Sequence, residues 1–97
     1  MPAKTAAQKR LWKHARHVAW RKVADEAVIL DTNTAEYYSL AGAGLRMWEL
    51  IGRGCGPDQI ARTLAREYDC SPERLRRDSQ DLIRALRKEK IIEPGRA

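Results

Sequence analysis

The sequence has no phenylalanine, only two cysteines and no long apolar run. Two cysteines, Cys55 and Cys70, are too few for a disulfide framework, and we therefore expect reduced thiols. Because no apolar stretch lies near Met1, the sequence predicts neither a signal peptide nor a membrane span. A length of 97 residues is enough for one domain. Together these features favour a single cytoplasmic domain.

Acidic residues are absent from residues 1–22, which contain seven lysines and arginines. The formal net charge of the whole chain is +6, so the remaining residues are nearly neutral. A basic segment attracts nucleic acid, anionic membranes or acidic peptides, although a solvated tail that only aids solubility has the same composition. We predict a flexible basic arm at residues 1–16, a folded domain at residues 17–93 and a tail at residues 94–97.

Motifs for catalysis and for cofactor binding are also absent. No motif places a nucleophile, a general base and an orienting partner together, and no glycine-rich phosphate loop is present. His14 and His17, with Cys55 and Cys70, raise the question of zinc, but the cysteines are too far apart in sequence for a C-x-x-C knuckle. We expect no enzyme activity, no cofactor and no metal.

The structural signals that are present begin with a β-hairpin. Residues 28–30 and 37–40 are typical of half-buried strands, because they are β-branched and aromatic, and the DTNT segment at 31–34 is typical of a turn. Residues 18–23 alternate imperfectly and predict an earlier strand. We therefore expect a three-stranded antiparallel sheet, whose last strand leaves a row of backbone groups open to another chain.

Three helical segments follow the hairpin. Apolar periodicity predicts a short first helix that ends at Gly52 or Gly54. Pro57 opens a second helix, and Ser71 caps a third that extends to about residue 90. Strands followed by helices indicate an α+β fold. With the last two helices as a helix-turn-helix and the hairpin as a wing, the fold is winged helix-turn-helix-like.

Four segments carry a resemblance to a known family: VILD at 28–31, EYYSL at 36–40, GLRMWEL at 44–50 and QIARTLAREYD at 59–69. Their order and spacing resemble the PqqD family of peptide chaperones, also called RiPP recognition elements, over roughly residues 18–93. The resemblance implies a non-catalytic domain that binds the leader of a ribosomally synthesised precursor peptide. It also implies presentation of that peptide to a modifying enzyme, such as a radical SAM enzyme or a maturation protease.

The resemblance further implies a binding site, because in this family the leader adds as a strand beside the last strand and packs against the third helix. Carried onto this sequence, the site comprises Glu36, Tyr37, Tyr38, Ser39 and Leu40 on the strand, and Arg74, Arg77, Asp78, Asp81, Leu82 and Ala85 on the helix. Neighbouring strand residues point to opposite faces, so only one of Tyr37 and Tyr38 can belong to the core. We assign Trp20 and Trp48 to packing.

The sequence departs from the family pattern at two positions. Family members often have glycine where this chain has Ala35, and asparagine where it has Ala41. Because a non-glycine residue at positive φ costs on the order of 1 kcal/mol, we expect the hairpin to move its bend to Asn33. Without the asparagine, Gly42 or Gly44 must cap the first helix, and only weakly.

Two other binding functions compete with peptide binding. A winged helix with a pI near 9.7 is a common form of DNA-binding repressor. Against this, the third helix carries Glu73, Asp78 and Asp81, which would face phosphates. Membrane attachment through the basic arm lacks a strong apolar face. Arg74 and Arg77 can bind acidic leader residues through bidentate contacts, although an ordinary solvated helix face explains either one of them better. We expect no specific nucleic acid partner and no membrane partner.

Overall fold

Residues 11–95 are described in a computed structural model, which contains five strands and three helices within that range. The strands are β1 (Trp12–His14), β2 (Val18–Val23), β3 (Glu26–Asp31), β4 (Glu36–Ala41) and β5 (Ile92–Pro94). The helices are α1 (Ala43–Gly52), α2 (Pro57–Glu67) and α3 (Pro72–Lys88). In these residues, no helix combines the length and the apolar character that crossing a membrane requires.

The main sheet confirms the predicted hairpin and the strand before it. Its three strands lie in the order β2, β3, β4, and both neighbouring pairs are antiparallel. Ile29 of β3 lies opposite Trp20 on one side and Tyr38 on the other. Ile29 is fully buried, because this face of the sheet packs against the helices. The predicted α+β fold, with a three-stranded antiparallel sheet followed by three helices, is confirmed.

The helices start where their sequence signals predict. Pro57 and Pro72 occupy the first turns of α2 and α3, and the Ser71 hydroxyl accepts a hydrogen bond from the Arg74 N–H at 3.2 Å. The fully buried helical side chains are Trp48, Ile51, Ile60, Leu64 and Ser79. Trp20 packs edge-to-face on Trp48, with ring centroids 6.0 Å apart. Both tryptophans therefore pack in or against the core, as predicted.

A second, two-stranded sheet joins the two ends of the described chain. β1 pairs antiparallel with β5, and the Gly95 N–H donates to the Leu11 carbonyl at 2.7 Å. The predicted flexible arm is therefore wrong for residues 11–16, and the predicted tail is wrong at Pro94 and Gly95. Three residues form too short a strand to show a period, and their partner lies at the far end of the sequence. Residues 1–10 of the predicted arm and residues 96–97 of the predicted tail lie outside the described residues.

His14 attaches β1 to α1. Its ring stacks on Trp48 with centroids 3.6 Å apart, and its Nε2 donates a hydrogen bond to the Trp48 carbonyl oxygen at 2.8 Å. A Cβ built on Gly52 would lie 2.5 Å from the His14 ring, so only glycine leaves room for this stack. Burial lowers the pKa of His14, and the hydrogen bond to Trp48 opposes that shift only in part.

The turns depart from the prediction at one of the two unusual positions. Ala35 has a φ of 65°, whereas Asn33 is not among the residues at positive φ, so the expected shift of the bend to Asn33 is wrong. The Asp31 carboxylate accepts hydrogen bonds from the Asn33 and Thr34 N–H groups at 2.8 and 3.3 Å. These bonds hold the start of the turn, and its last residue takes the left-handed conformation. Gly42 caps α1 without a side-chain hydrogen bond, as expected.

Candidate functional site

β4 is an edge strand of the main sheet, since β3 is its sole neighbour within residues 11–95. Two hydrogen bonds show which way the backbone groups of β3 point. The Thr32 N–H donates to the His17 carbonyl at 3.0 Å, towards the β2 side, and the Ala35 N–H donates to the Asp31 carbonyl at 2.7 Å, towards the β4 side. Because these directions alternate along an antiparallel strand, the odd-numbered residues of β3 bond to β4.

The same alternation identifies the open groups of β4. Its residues opposite Ile29 and Asp31 are Tyr38 and Glu36, which use their backbone groups in the ladder with β3. The N–H and C=O groups of Tyr37 and Ser39 therefore face the open edge. An extended peptide can form main-chain hydrogen bonds with these four groups without disturbing the existing sheet.

The side chains of β4 separate into two faces, as the period of a strand requires. Glu36, Tyr38 and Leu40 share the inner face, where Tyr38 and Leu40 are half-buried and pack against the core while Glu36 is exposed. Ser39 is exposed on the other face. Tyr37 is 70% exposed and lies on the outer face of the sheet. Of the two tyrosines, Tyr38 is thus the one that packs, and Tyr37 remains free to cover a side chain of a bound peptide.

Tyr38 also connects β4 to the end of α3. Its hydroxyl lies 2.9 Å from Glu36 Oε1 and 3.1 Å from Glu89 Oε1, and Glu89 is the C-cap residue of α3. The hydrogen bond to Glu36 is the largest cause of a raised pKa of Tyr38, and partial desolvation and the hydrogen bond to Glu89 raise it further. These bonds define one end of the space between β4 and α3. Glu89 was not among the predicted site residues, because 51 positions separate it from Tyr38 and no local sequence pattern relates the two.

The predicted helix residues differ in their surroundings. Leu82 is half-buried and packs against the core, and the other five, Arg74, Arg77, Asp78, Asp81 and Ala85, are exposed. Asp78 and Asp81 each pair within α3, with Arg74 at 3.9 Å and with Arg84 at 3.0 Å. Such pairs one helical turn apart are usual on solvated helix faces. The charged residues on this face of α3 therefore give no specific indication of peptide binding.

The histidines and cysteines considered for zinc lie in different environments. His14 stacks on Trp48, whereas the His17 Nε2 lies 3.8 Å from the buried Asp31 carboxylate. Cys55 and Cys70 are half-buried free thiols. Across residues 11–95, no group of three or more His, Cys, Asp or Glu side chains is arranged to hold a metal ion.

Comparisons with known proteins identify relatives of this chain. The family model described as coenzyme PQQ synthesis protein D (PqqD) matches residues 26–92. In the solved structure of TbiB1 in complex with the TbiA(beta) leader peptide, TbiB1 is 32% identical to this chain, with a TM-score of 0.78. That match covers 88% of this chain and 98% of TbiB1.

A second solved structure shares the fold. Lasso peptide synthetase B1 complexed with the leader peptide is 20% identical to this chain, has a TM-score of 0.79 and is matched over 86% of this chain and 98% of its own. A search of curated proteins finds no match. Because the family model spans well over half of the sequence, the resemblance noted from the four segments is confirmed: this chain belongs to the PqqD family.

Proposed function

We propose that this protein binds the leader segment of a ribosomally synthesised precursor peptide by strand addition at the open edge of β4. The observation that carries the proposal is the direction of the Tyr37 and Ser39 backbone groups, which leaves two donors and two acceptors free on one edge. Main-chain hydrogen bonds to such an edge supply affinity that does not depend on side chains. The complex of the 32% identical TbiB1 with a leader peptide supports the same type of ligand.

Specificity then comes from the side chains of the bound peptide, which alternate between two faces. Side chains on the inner face lie on the same side of the sheet as Tyr38 and Leu40, and we expect Leu82 of α3 to offer them an apolar contact. Side chains on the outer face lie next to Tyr37. We also propose that Arg74, Arg77, Asp78, Asp81 and Ala85 of α3 contact the inner-face side chains of the peptide.

The protein contributes no catalytic group in this proposal and presents the peptide to a separate modifying enzyme. A radical SAM enzyme and a maturation protease are two classes of enzyme that act on such peptides. DNA binding is the alternative function, and the carboxylates of α3 argue against it. Glu73, Asp78 and Asp81 are all exposed on α3, where a recognition helix would approach phosphates.

Titration of a labelled leader peptide tests the proposal. The probe is the leader of the precursor encoded in the same gene cluster, followed by fluorescence anisotropy. We expect saturable binding with a micromolar or lower Kd, about −8 kcal/mol or more favourable. A scrambled peptide of identical composition controls for simple attraction to the basic chain. Absence of saturable binding by every peptide from the cluster would refute the proposal.

A further inference from the structure

A basic cavity opens beside the C-terminal end of α3. Its volume is about 370 Å³, its polar lining consists of His17, Arg87, Lys90 and Glu93, and Trp12 forms part of its apolar wall. We call this space the basic cavity. It brings together β1, β5, the end of α3 and the residue that precedes β2, so it depends on the pairing of the two chain ends.

Two cationic side chains of the basic cavity, Arg87 and Lys90, have no acidic partner among the described residues. Among residues 11–95, no carboxylate forms an ion pair with Arg87 or Lys90. The carboxylate of Glu93, which also lines the cavity, is approached instead by Lys13 at 3.5 Å and by Arg16 at 4.0 Å. The cavity therefore carries an excess of positive charge that the described residues do not neutralise.

The Arg87 guanidinium lies against an aromatic ring. Its central carbon lies 4.9 Å from the centroid of the Trp12 ring, a distance typical of a cation–π contact. A guanidinium in such a contact still has N–H groups that can donate hydrogen bonds. An arginine held in this way can bind a carboxylate through two parallel hydrogen bonds.

The basic cavity adjoins one end of the proposed binding edge. On one side, His17 lies 3.8 Å from Asp31, which is opposite Glu36, the first residue of β4. On the other side, Lys90 follows Glu89, which is bonded to Tyr38. A peptide strand on β4 that continues past Glu36 leaves the sheet at the same end as the cavity, and each further extended residue advances it by about 3.3 Å.

We propose that the basic cavity binds an acidic side chain of the precursor peptide, located on the flank that extends past Glu36. This inference rests on the proposed function and deepens it by naming a chemical feature of the ligand. The Arg87 guanidinium supplies the paired donors, and Lys90 adds positive charge. Glu36 and Glu89 lie at the end of the edge itself and would repel an acidic side chain there. The acidic residue of the peptide therefore belongs beyond them, in the cavity.

A selection experiment tests this inference with a defined probe, a displayed library of random 20-residue peptides. The full-length chain is compared with an Arg87→Met, Lys90→Met double variant. We expect the parent to enrich Asp and Glu on one flank of the selected peptides. The double variant should still select peptides but lose that enrichment. Arg66→Met is the matched charge control, because Arg66 also lies exposed in the last turn of a helix.

A double-mutant cycle on one selected peptide gives the magnitude. Replacing the enriched Glu of the peptide by Gln should weaken binding roughly tenfold to the parent chain and hardly at all to the Arg87→Met variant. Folding of each variant is checked by circular dichroism. Arg87→Lys keeps the charge but not the paired N–H donors. The loss of affinity on replacing Glu by Gln should therefore be smaller with Arg87→Lys than with the parent chain and larger than with Arg87→Met.

The possible outcomes separate the two proposals. If acidic enrichment persists in the double variant, or disappears equally in Arg66→Met, the inference is overturned while the proposed function stands. If peptides are selected but show no acidic flank, the inference is again overturned alone. If no selected peptide loses affinity in the Ser39→Pro variant, whose open-edge N–H is removed, strand addition itself fails and this inference fails with it.

Discussion

Replacing Ser39 by proline tests strand addition at β4 directly. The Ser39 N–H faces the open edge, so proline removes a donor that the sheet of the free protein does not use. The pyrrolidine ring also projects towards an incoming strand. We expect the fold to persist and leader binding to weaken by about 1–3 kcal/mol for the unmade hydrogen bond, which is roughly five- to 150-fold in Kd, before any clash is added.

Two matched variants make the result specific to the backbone. Ser39→Ala removes the hydroxyl that donates to Glu26 Oε1 at 2.5 Å but keeps the backbone N–H, so it should bind the leader almost as the parent does. Tyr38→Pro, one residue earlier, removes an N–H that bonds to β3. It should lower the free energy of unfolding, relative to Tyr38→Ala, by about 1–3 kcal/mol. Proline should therefore weaken leader binding at position 39 and lower the stability of the fold at position 38.

The measurements are fluorescence anisotropy with the labelled leader and urea unfolding followed by circular dichroism. Suppose that Ser39→Pro remains folded and binds the leader as tightly as the parent. The peptide then does not pair with this edge, and the site must be sought on the helical face instead. If Ser39→Pro unfolds the protein while Tyr38→Pro does not, the direction assigned to the backbone groups of β4 is reversed.

Three further predictions concern stability. Ala35→Gly should raise the free energy of unfolding by roughly 0.5–1 kcal/mol in urea titrations, because Ala35 has a φ of 65°; no gain would show that the turn is unstrained. Gly52→Ala should destabilise the fold by about 1–3 kcal/mol, since its Cβ would lie 2.5 Å from the His14 ring, and unchanged thermal unfolding would contradict this packing. Burial lowers the pKa of His14 below 6.5, so the unfolded chain takes up its proton first, and stability should fall as the pH drops below 6.5. That fall should be smaller in His14→Phe, and identical pH profiles would refute it.

The parts of the fold that the sequence predicted depend on local signals. Pro57 and Ser71 mark helix starts through interactions within one turn, and residues 28–40 show the composition of two strands around a turn. The position of the bend, in contrast, depends on side-chain hydrogen bonds that the residue pattern does not indicate. Asp31 accepts the N–H groups of the two residues that follow Thr32, so the left-handed residue stays at Ala35 although alanine is unfavourable there.

The parts that the sequence did not predict are contacts between distant segments. The open edge followed from strand order alone, whereas the contact of Tyr38 with Glu89 requires the end of α3 to be placed against β4. Likewise, His14 was predicted to lie in a flexible polar arm, because no residue near it in sequence indicates that its ring stacks on Trp48. A pattern of residue types reports neighbours one turn or one strand away, and these partners lie 51 and 34 positions away.

The pairing of β1 with β5 has a consequence for how this domain can be joined to other proteins. The carbonyl of Leu11 and the N–H of Gly95 are hydrogen-bonded at 2.7 Å, so the two ends of the described part of the chain lie side by side. A domain with adjacent entry and exit points can be inserted into a surface loop of a host protein without stretching that loop. It also tolerates circular permutation, in which a short linker closes this gap and new ends open at an exposed turn such as Arg53. Because β4 takes no part in the pairing, its edge would stay free in either arrangement.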